Sequence, residues 1–134
     1  MIRVGVLGAK GKMGQTVVEA VSAANDMEVV AALDLGDSLE MLTANKCDVV
    51  VDFTTPAAVM NNLAFLIDNG IHAVVGTTGF DDVRLQTLRA QLAKNSKVGV
   101  LIAPNFGLGA ILMMEFSKDR KSTRLNSSHG YISY

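Results

Sequence analysis

Apolar residues fall along this chain in short runs separated by polar or glycine-containing breaks. Ile2 to Leu7 is apolar apart from Arg3, which predicts a strand buried on both faces of a sheet. From Met13 to Ala24 the pattern changes. Met13, Val17, Val18 and Val21 recur at three- and four-residue spacing and share one face of a predicted helix. Glu28–Leu33 is a second strand ending at Asp34, Ser38–Ala44 a short helical crossover, and Asp48–Phe53 a third strand stopped by Thr54-Thr55-Pro56. Pro56 suits the first turn of a helix that shows Val59, Leu63, Leu66 and Ile67 on one side and stops at Asn69-Gly70. Ile71–Val75 is the fourth strand. Asp81 caps a helix running to about Lys94, Val98–Ala103 is the fifth strand, and an apolar helix starts over Leu108–Phe116.

Strands alternating with helices in this way predict an α/β domain with a parallel sheet, helices on both faces and right-handed crossovers. The 134 residues suit one hydrophobic core, and 49% hydrophobic with 19% charged residues and a net charge of −1 is an ordinary globular balance. It calls for neither nucleic acid nor membrane. Cys47, the single cysteine, has no internal partner and reads as a reduced, inert thiol. With no expected leader before the first strand, the setting is expected to be cytoplasmic. Charge divides the chain near Lys118: residues 118–134 carry four basic side chains and one acid, against eight basic and twelve acidic in 1–117.

The candidate chemistry starts at Gly8-Ala9-Lys10-Gly11-Lys12-Met13-Gly14, between the first strand and the first helix. Glycines spaced G-x-x-G-x-x-G at such a junction make a tight turn, a close approach to an anion and a close helix-to-sheet contact. The first helical N–H groups then face the anion, so the pattern predicts a Rossmann-like pyrophosphate site, the alternative being a tight turn of an α/β fold with no ligand. Asp34, at the end of the second strand, is placed to bind the adenosine ribose hydroxyls. Lys10 and Lys12 are either solvated loop charges or point charges for phosphate. The acid favours NADH and the lysines tolerate NADPH.

Three later loops follow predicted strands and are expected at the same sheet edge: Phe53-Thr54-Thr55-Pro56, Gly76-Thr77-Thr78-Gly79 and Ala103-Pro104-Asn105-Phe106. Each offers small, hydroxyl or amide groups for a nicotinamide and its ribose, or simple turn and capping chemistry. His72, at the start of a buried strand, reads as structural. No metal-ligand cluster and no catalytic residue is expected.

With these segments in view, the chain resembles the N-terminal domain of the dihydrodipicolinate reductases over roughly residues 1–117. The likeness rests on the glycine turn, Asp34, Val51-Asp52-Phe53-Thr54, the run from Asn69 to Gly79, and Ala103-Pro104-Asn105-Phe106. Its wording looks most like actinobacterial members. The resemblance implies a cytoplasmic enzyme of the diaminopimelate route to lysine, moving a hydride from NADH or NADPH to a cyclic dicarboxylated imine-type substrate. On that likeness Gly8 to Met13 would hold the pyrophosphate and Asp34 the ribose. Gly76, Thr77, Thr78 and Ala103, Pro104, Asn105 and Phe106 would position the nicotinamide end.

The family's second domain, with its His-His…Lys segment and Ser-Gly-Thr turn, has no counterpart here; His129 in Ser127-Ser128-His129-Gly130 does not match it. The expectation is a chain truncated before the substrate domain, limited to cofactor binding. Its hydroxy-tetrahydrodipicolinate substrate is not expected to bind fully, nor is the family's homotetramer expected to form. An exposed apolar patch around Leu108–Phe116 and an aggregation-prone domain are expected with it. Residues 119–134 resemble translated sequencing-adapter read-through. Residues 118–134 are read as a disordered, non-native tail, with a basic tail for an anionic partner as the rival reading. The functional alternatives are a non-catalytic dinucleotide-binding or redox-sensing module and another Rossmann dehydrogenase.

Overall fold

A computed structural model describes residues 1–102 and 131–133. In chain order the elements are β1 (Ile2–Leu7), α1 (Lys12–Ala23), β2 (Met27–Leu33), α2 (Glu40–Ala44), β3 (Val49–Asp52), α3 (Pro56–Asp68), β4 (His72–Val75), α4 (Asp82–Lys94), β5 (Gly99–Ile102) and β6 (Tyr131–Ser133). Every strand and helix expected within 1–102 is present, with ends moved by at most two residues. The Leu108–Phe116 helix and its apolar patch lie outside the described residues.

The caps explain the helix limits. Thr55 accepts from the Ala58 N–H to start α3, and Asp81 accepts from the Arg84 N–H to start α4. Gly11 starts α1 with no side-chain cap. Met13 differs from expectation: it is exposed, because it stands in the first turn at the sheet edge, and Gly14, Val17 and Val21 make the buried face.

The sheet order is β2-β1-β3-β4-β5-β6. Strands β1 to β5 are mutually parallel, and β6 runs antiparallel beside β5. Hence the tail, to which the sequence pattern assigned no strand, contributes one over Tyr131–Ser133. An open edge offers unpaired backbone N–H and C=O groups that an extended segment satisfies whatever its side-chain period.

Helices cover both faces. On one, Val4, Val6, Val49 and Val51 pack with Val17 and Val21 of α1. On the other, Leu7, Val50 and Val75 pack under Leu42, Leu63, Leu66 and Leu88 from α2, α3 and α4. Successive strand residues point to opposite faces, so the doubly apolar runs follow from this double cover.

Two features place the site. The chain runs from β1 outward to β2 and then back past β1 to β3, so the winding reverses between β1 and β3. The carboxyl ends are also level: Leu7 pairs with Leu33 and Asp52, Asp52 with Val75, and Val75 with Ile102. The residues that follow these strands therefore emerge along one line, over the crevice where open α/β sheets bind ligands.

Candidate functional site

The glycine turn is built from backbone. The N–H groups of Gly8 and Ala9 both donate to Leu33 O, at 2.9 and 3.0 Å, and the Gly11 N–H donates to Gly8 O at 3.1 Å. Gly8 has φ +79°, a left-handed conformation that strains other residues. A Cβ there would also stand 2.7 Å from Phe53 O. At Gly14 a Cβ would run into Gly8 O, which is why the first helix turn reaches the sheet only with glycine at this position. The Gln15 side chain donates to Lys10 O at 2.9 Å and braces the turn.

With no side-chain cap at Gly11, the first-turn N–H groups of α1 have no protein acceptor among the described residues. They carry the positive end of the helix dipole and suit an anion. Lys10 and Lys12 are exposed beside them.

Asp34 stands against this turn. Its Oδ2 accepts from the Lys10 N–H at 2.7 Å and its Oδ1 from the Leu35 N–H at 2.8 Å. The Leu35 and Lys10 amides, in that order, hold the carboxyl below its ordinary value, outweighing a small opposing effect of burial. It is thus a fixed anionic acceptor beside the β1–α1 turn.

On the other side of β1, Phe53 and Thr54 follow β3. The Phe53 ring packs with the α1-face core, and Gly76, after β4, lies against that ring. Thr77 is buried, whereas Thr78 is exposed. Gly8, Ala9, Lys10, Gly11, Lys12, Met13, Asp34, Phe53, Thr54, Gly76, Thr77 and Thr78 are brought to one sheet edge. Ala103, Pro104, Asn105 and Phe106 lie outside the described residues.

The Thr54 hydroxyl is not a free crevice donor. It donates to Asp52 Oδ1 at 2.6 Å, and its N–H donates to the same oxygen at 2.8 Å. Asn62 Nδ2 donates to Asp52 Oδ2 at 3.0 Å. Sequence reasoning assigned no role to Asp52 or Asn62. Signals were present: an acid closing an all-valine strand, and an amide on the Val59/Leu63/Leu66 face of α3.

His72 and Cys47 lie outside the crevice. His72 Nδ1 accepts from the Gly99 N–H at 2.9 Å, linking β4 to β5. Cys47 is buried, and burial pushes its thiol up, away from the reactive thiolate. Among the described residues no group of three or more His, Cys, Asp or Glu side chains is placed to hold a metal, and no helix is long and apolar enough to cross a membrane.

The family pattern described as "Dihydrodipicolinate reductase, N-terminus" matches residues 2–106. Over 117 residues the chain is 59% identical to a 4-hydroxy-tetrahydrodipicolinate reductase of Nocardia farcinica and 58% identical to one of Corynebacterium efficiens. Each match covers 87% of this chain and 47% of the relative, so the chain spans about half the length of the curated relatives it matches. Among solved structures, a dipicolinate-bound dihydrodipicolinate reductase from Paenisporosarcina sp. TG-14 superposes with a TM-score of 0.71 at 37% identity, covering 87% of this chain and 52% of that one. A myo-inositol dehydrogenase from Corynebacterium glutamicum, at 17% identity and a TM-score of 0.61 over 75% of this chain and 35% of that one, shares the fold alone. A Rossmann-like sheet with a glycine turn, an acid at the end of its second strand and this extent of sequence identity have one common explanation: the chain belongs to the dihydrodipicolinate reductase family, matching the part that forms the N-terminus of its members.

Proposed function

We propose that this chain is the cofactor-holding half of a 4-hydroxy-tetrahydrodipicolinate reductase of lysine biosynthesis, binding NADH or NADPH in a cytoplasmic setting. Residues 1–117 form the binding unit in this reading. The observation that carries it is the uncapped α1 N-terminus at Gly11, set beside Asp34 at the β1/β3 reversal. The turn fits a pyrophosphate: backbone N–H groups are open, lysines flank them, and no side chain at 8, 11 or 14 fills the space. Asp34 supplies an anionic acceptor for ribose hydroxyls, and Phe53, Thr54, Gly76 to Thr78 and Ala103 to Phe106 line the nicotinamide end. A bound reduced nicotinamide supplies the hydride.

Hydride transfer also needs the substrate and a proton source held in one closed site. We assign those to the half of the relatives' length that this chain does not match, together with the substrate-carboxylate contacts and the tetramer. The 134-residue chain by itself is therefore proposed to bind dinucleotide without reductase turnover and without assembling as a tetramer.

The test is titration of NADH, then NADPH, into the 134-residue chain, read by nicotinamide fluorescence, which no tryptophan obscures. A saturable rise supports the proposal and ranks the two cofactors; a folded sample that leaves the emission unchanged overturns it. Measurable reductase turnover by the homogeneous chain would refute the division of labour.

A further inference from the structure

Under the Phe53–Thr54 turn lies a polar cluster that the glycine turn does not use. Asp52, the last residue of β3, is wholly buried behind three valines. Asn62 is buried on the otherwise apolar face of α3. Only three polar side chains are buried among the described residues, Asp52, Asn62 and Thr77, and two of them meet here. Polar groups in such a place cost folding free energy unless bonded, and apolar side chains of similar size would serve packing better.

The bonds converge on Thr54. Asp52 Oδ1 accepts from the Thr54 N–H and hydroxyl, at 2.8 and 2.6 Å. Asn62 Nδ2 reaches both Asp52 Oδ2 at 3.0 Å and Thr54 Oγ1 at 3.3 Å. An aspartate bonding the backbone two residues on is enough to make a turn. Asn62 is superfluous for that, so its amide over-determines the geometry of one residue. What Thr54 fixes is shared: the preceding carbonyl, of Phe53, lies against Gly8, and the Phe53 ring lies against Gly76.

We propose that Asp52 and Asn62 are positioning residues, which through Thr54 hold the Phe53–Thr54 turn in the shape that receives the nicotinamide half of the dinucleotide. This inference rests on the reading of the crevice as a dinucleotide site. The sheet order favours the nicotinamide half: Asp34 follows β2 on one side of the glycine turn, whereas Thr54 and Gly76 follow β3 and β4 on the other. A dinucleotide whose pyrophosphate crosses the end of β1 places its two halves on opposite sides.

The test compares NADH with ADP-ribose, which lacks the nicotinamide, on the 134-residue chain and its variants, with thermal midpoints measured alongside. Asn62→Leu and Thr54→Val each weaken NADH by about tenfold while ADP-ribose stays within about twofold, and Thr54→Ser, which keeps the hydroxyl, recovers most of the NADH affinity. If Asn62→Leu does not fold, the Thr54→Val and Thr54→Ser pair decides. Parallel losses for both ligands, or a lowered midpoint with unchanged NADH affinity, reduce the cluster to a structural one and overturn the inference. A folded wild-type chain that binds neither ligand overturns the dinucleotide reading itself, and the positioning role with it.

Discussion

The Phe53 ring fills the space that a side chain at Gly76 would need: a Cβ built there overlaps Phe53 Cε1 and comes within 2.6 Å of Cδ1 and Cζ. Two loops 23 residues apart in sequence are thus packed as one surface, and the carbonyl of the same Phe53 abuts the glycine turn.

Gly76→Ala therefore has to displace that ring. The expected cost is about 1–3 kcal/mol of stability, as for an overpacked site. In a Phe53→Ala background the collision is gone and the added cost of Gly76→Ala should fall by at least about 1 kcal/mol. Denaturant unfolding of the four proteins in the cycle measures this, and additive costs would show that the contact is not what constrains position 76.

Gly11 and Gly14 should respond differently to substitution. A Cβ at Gly14 collides with Gly8 O, whereas at Gly11 it meets only Gly8 O at 3.4 Å, with ordinary extended backbone. Gly14→Val is expected to destabilise the fold by about 2 kcal/mol or more. Gly11→Leu should cost less than about 1 kcal/mol yet abolish saturable NADH binding, because its side chain would enter the space proposed for the pyrophosphate. Unfolding curves beside fluorescence titrations separate the two effects.

Asp34 is expected to stay ionised below the ordinary carboxylate range, because the Leu35 and Lys10 N–H groups favour its charged form. A depressed folded value means its contribution is present above the ordinary value and is lost as pH falls through the depressed one. Carboxyl NMR titration locates that midpoint. Asp34→Asn, which keeps the shape and removes the charge, should weaken NADH by about tenfold or more.

His72 gives the opposite end of the sheet a pH dependence. Burial lowers its value below the ordinary 6.5, partly offset by Asp48. The unfolded chain then binds a proton more readily than the folded one, so stability is complete above 6.5 and falls as pH drops from there through the lowered folded value. Protonation also removes the Nδ1 acceptor of the Gly99 N–H. Denaturant midpoints across that window should decline with acidity, and His72→Gln should flatten the slope.

Much of the candidate site's geometry was legible because its parts are local. A glycine turn between a strand and a helix, an acid closing a strand and a proline opening a helix each act within a few residues, and Gly8, Asp34 and Pro56 stand where their spacing placed them. The Asp52–Asn62–Thr54 cluster was not legible in the same way. Asn62 is one polar residue in an apolar helical face, and nothing local says whether such a residue meets a partner or solvent. Met13 misled for a related reason: its spacing fits the buried stripe of α1, yet the first helical turn lies at the edge of the sheet, where that stripe has nothing left to cover.

The sequence by itself determined the order of the elements within residues 1–102 and the double burial of the strands, because backbone propensity and hydrophobic period are read along the chain, and its motifs carried the family resemblance. Only the tertiary structure decided which strands are neighbours and which face each helix covers. It alone brings Phe53 between Gly8 and Gly76, leaves the α1 N-terminus open beside Asp34, and adds β6 at the free edge of β5. Those relations depend on strand register and on atoms tens of residues apart meeting at van der Waals or hydrogen-bond distance, which no local period encodes.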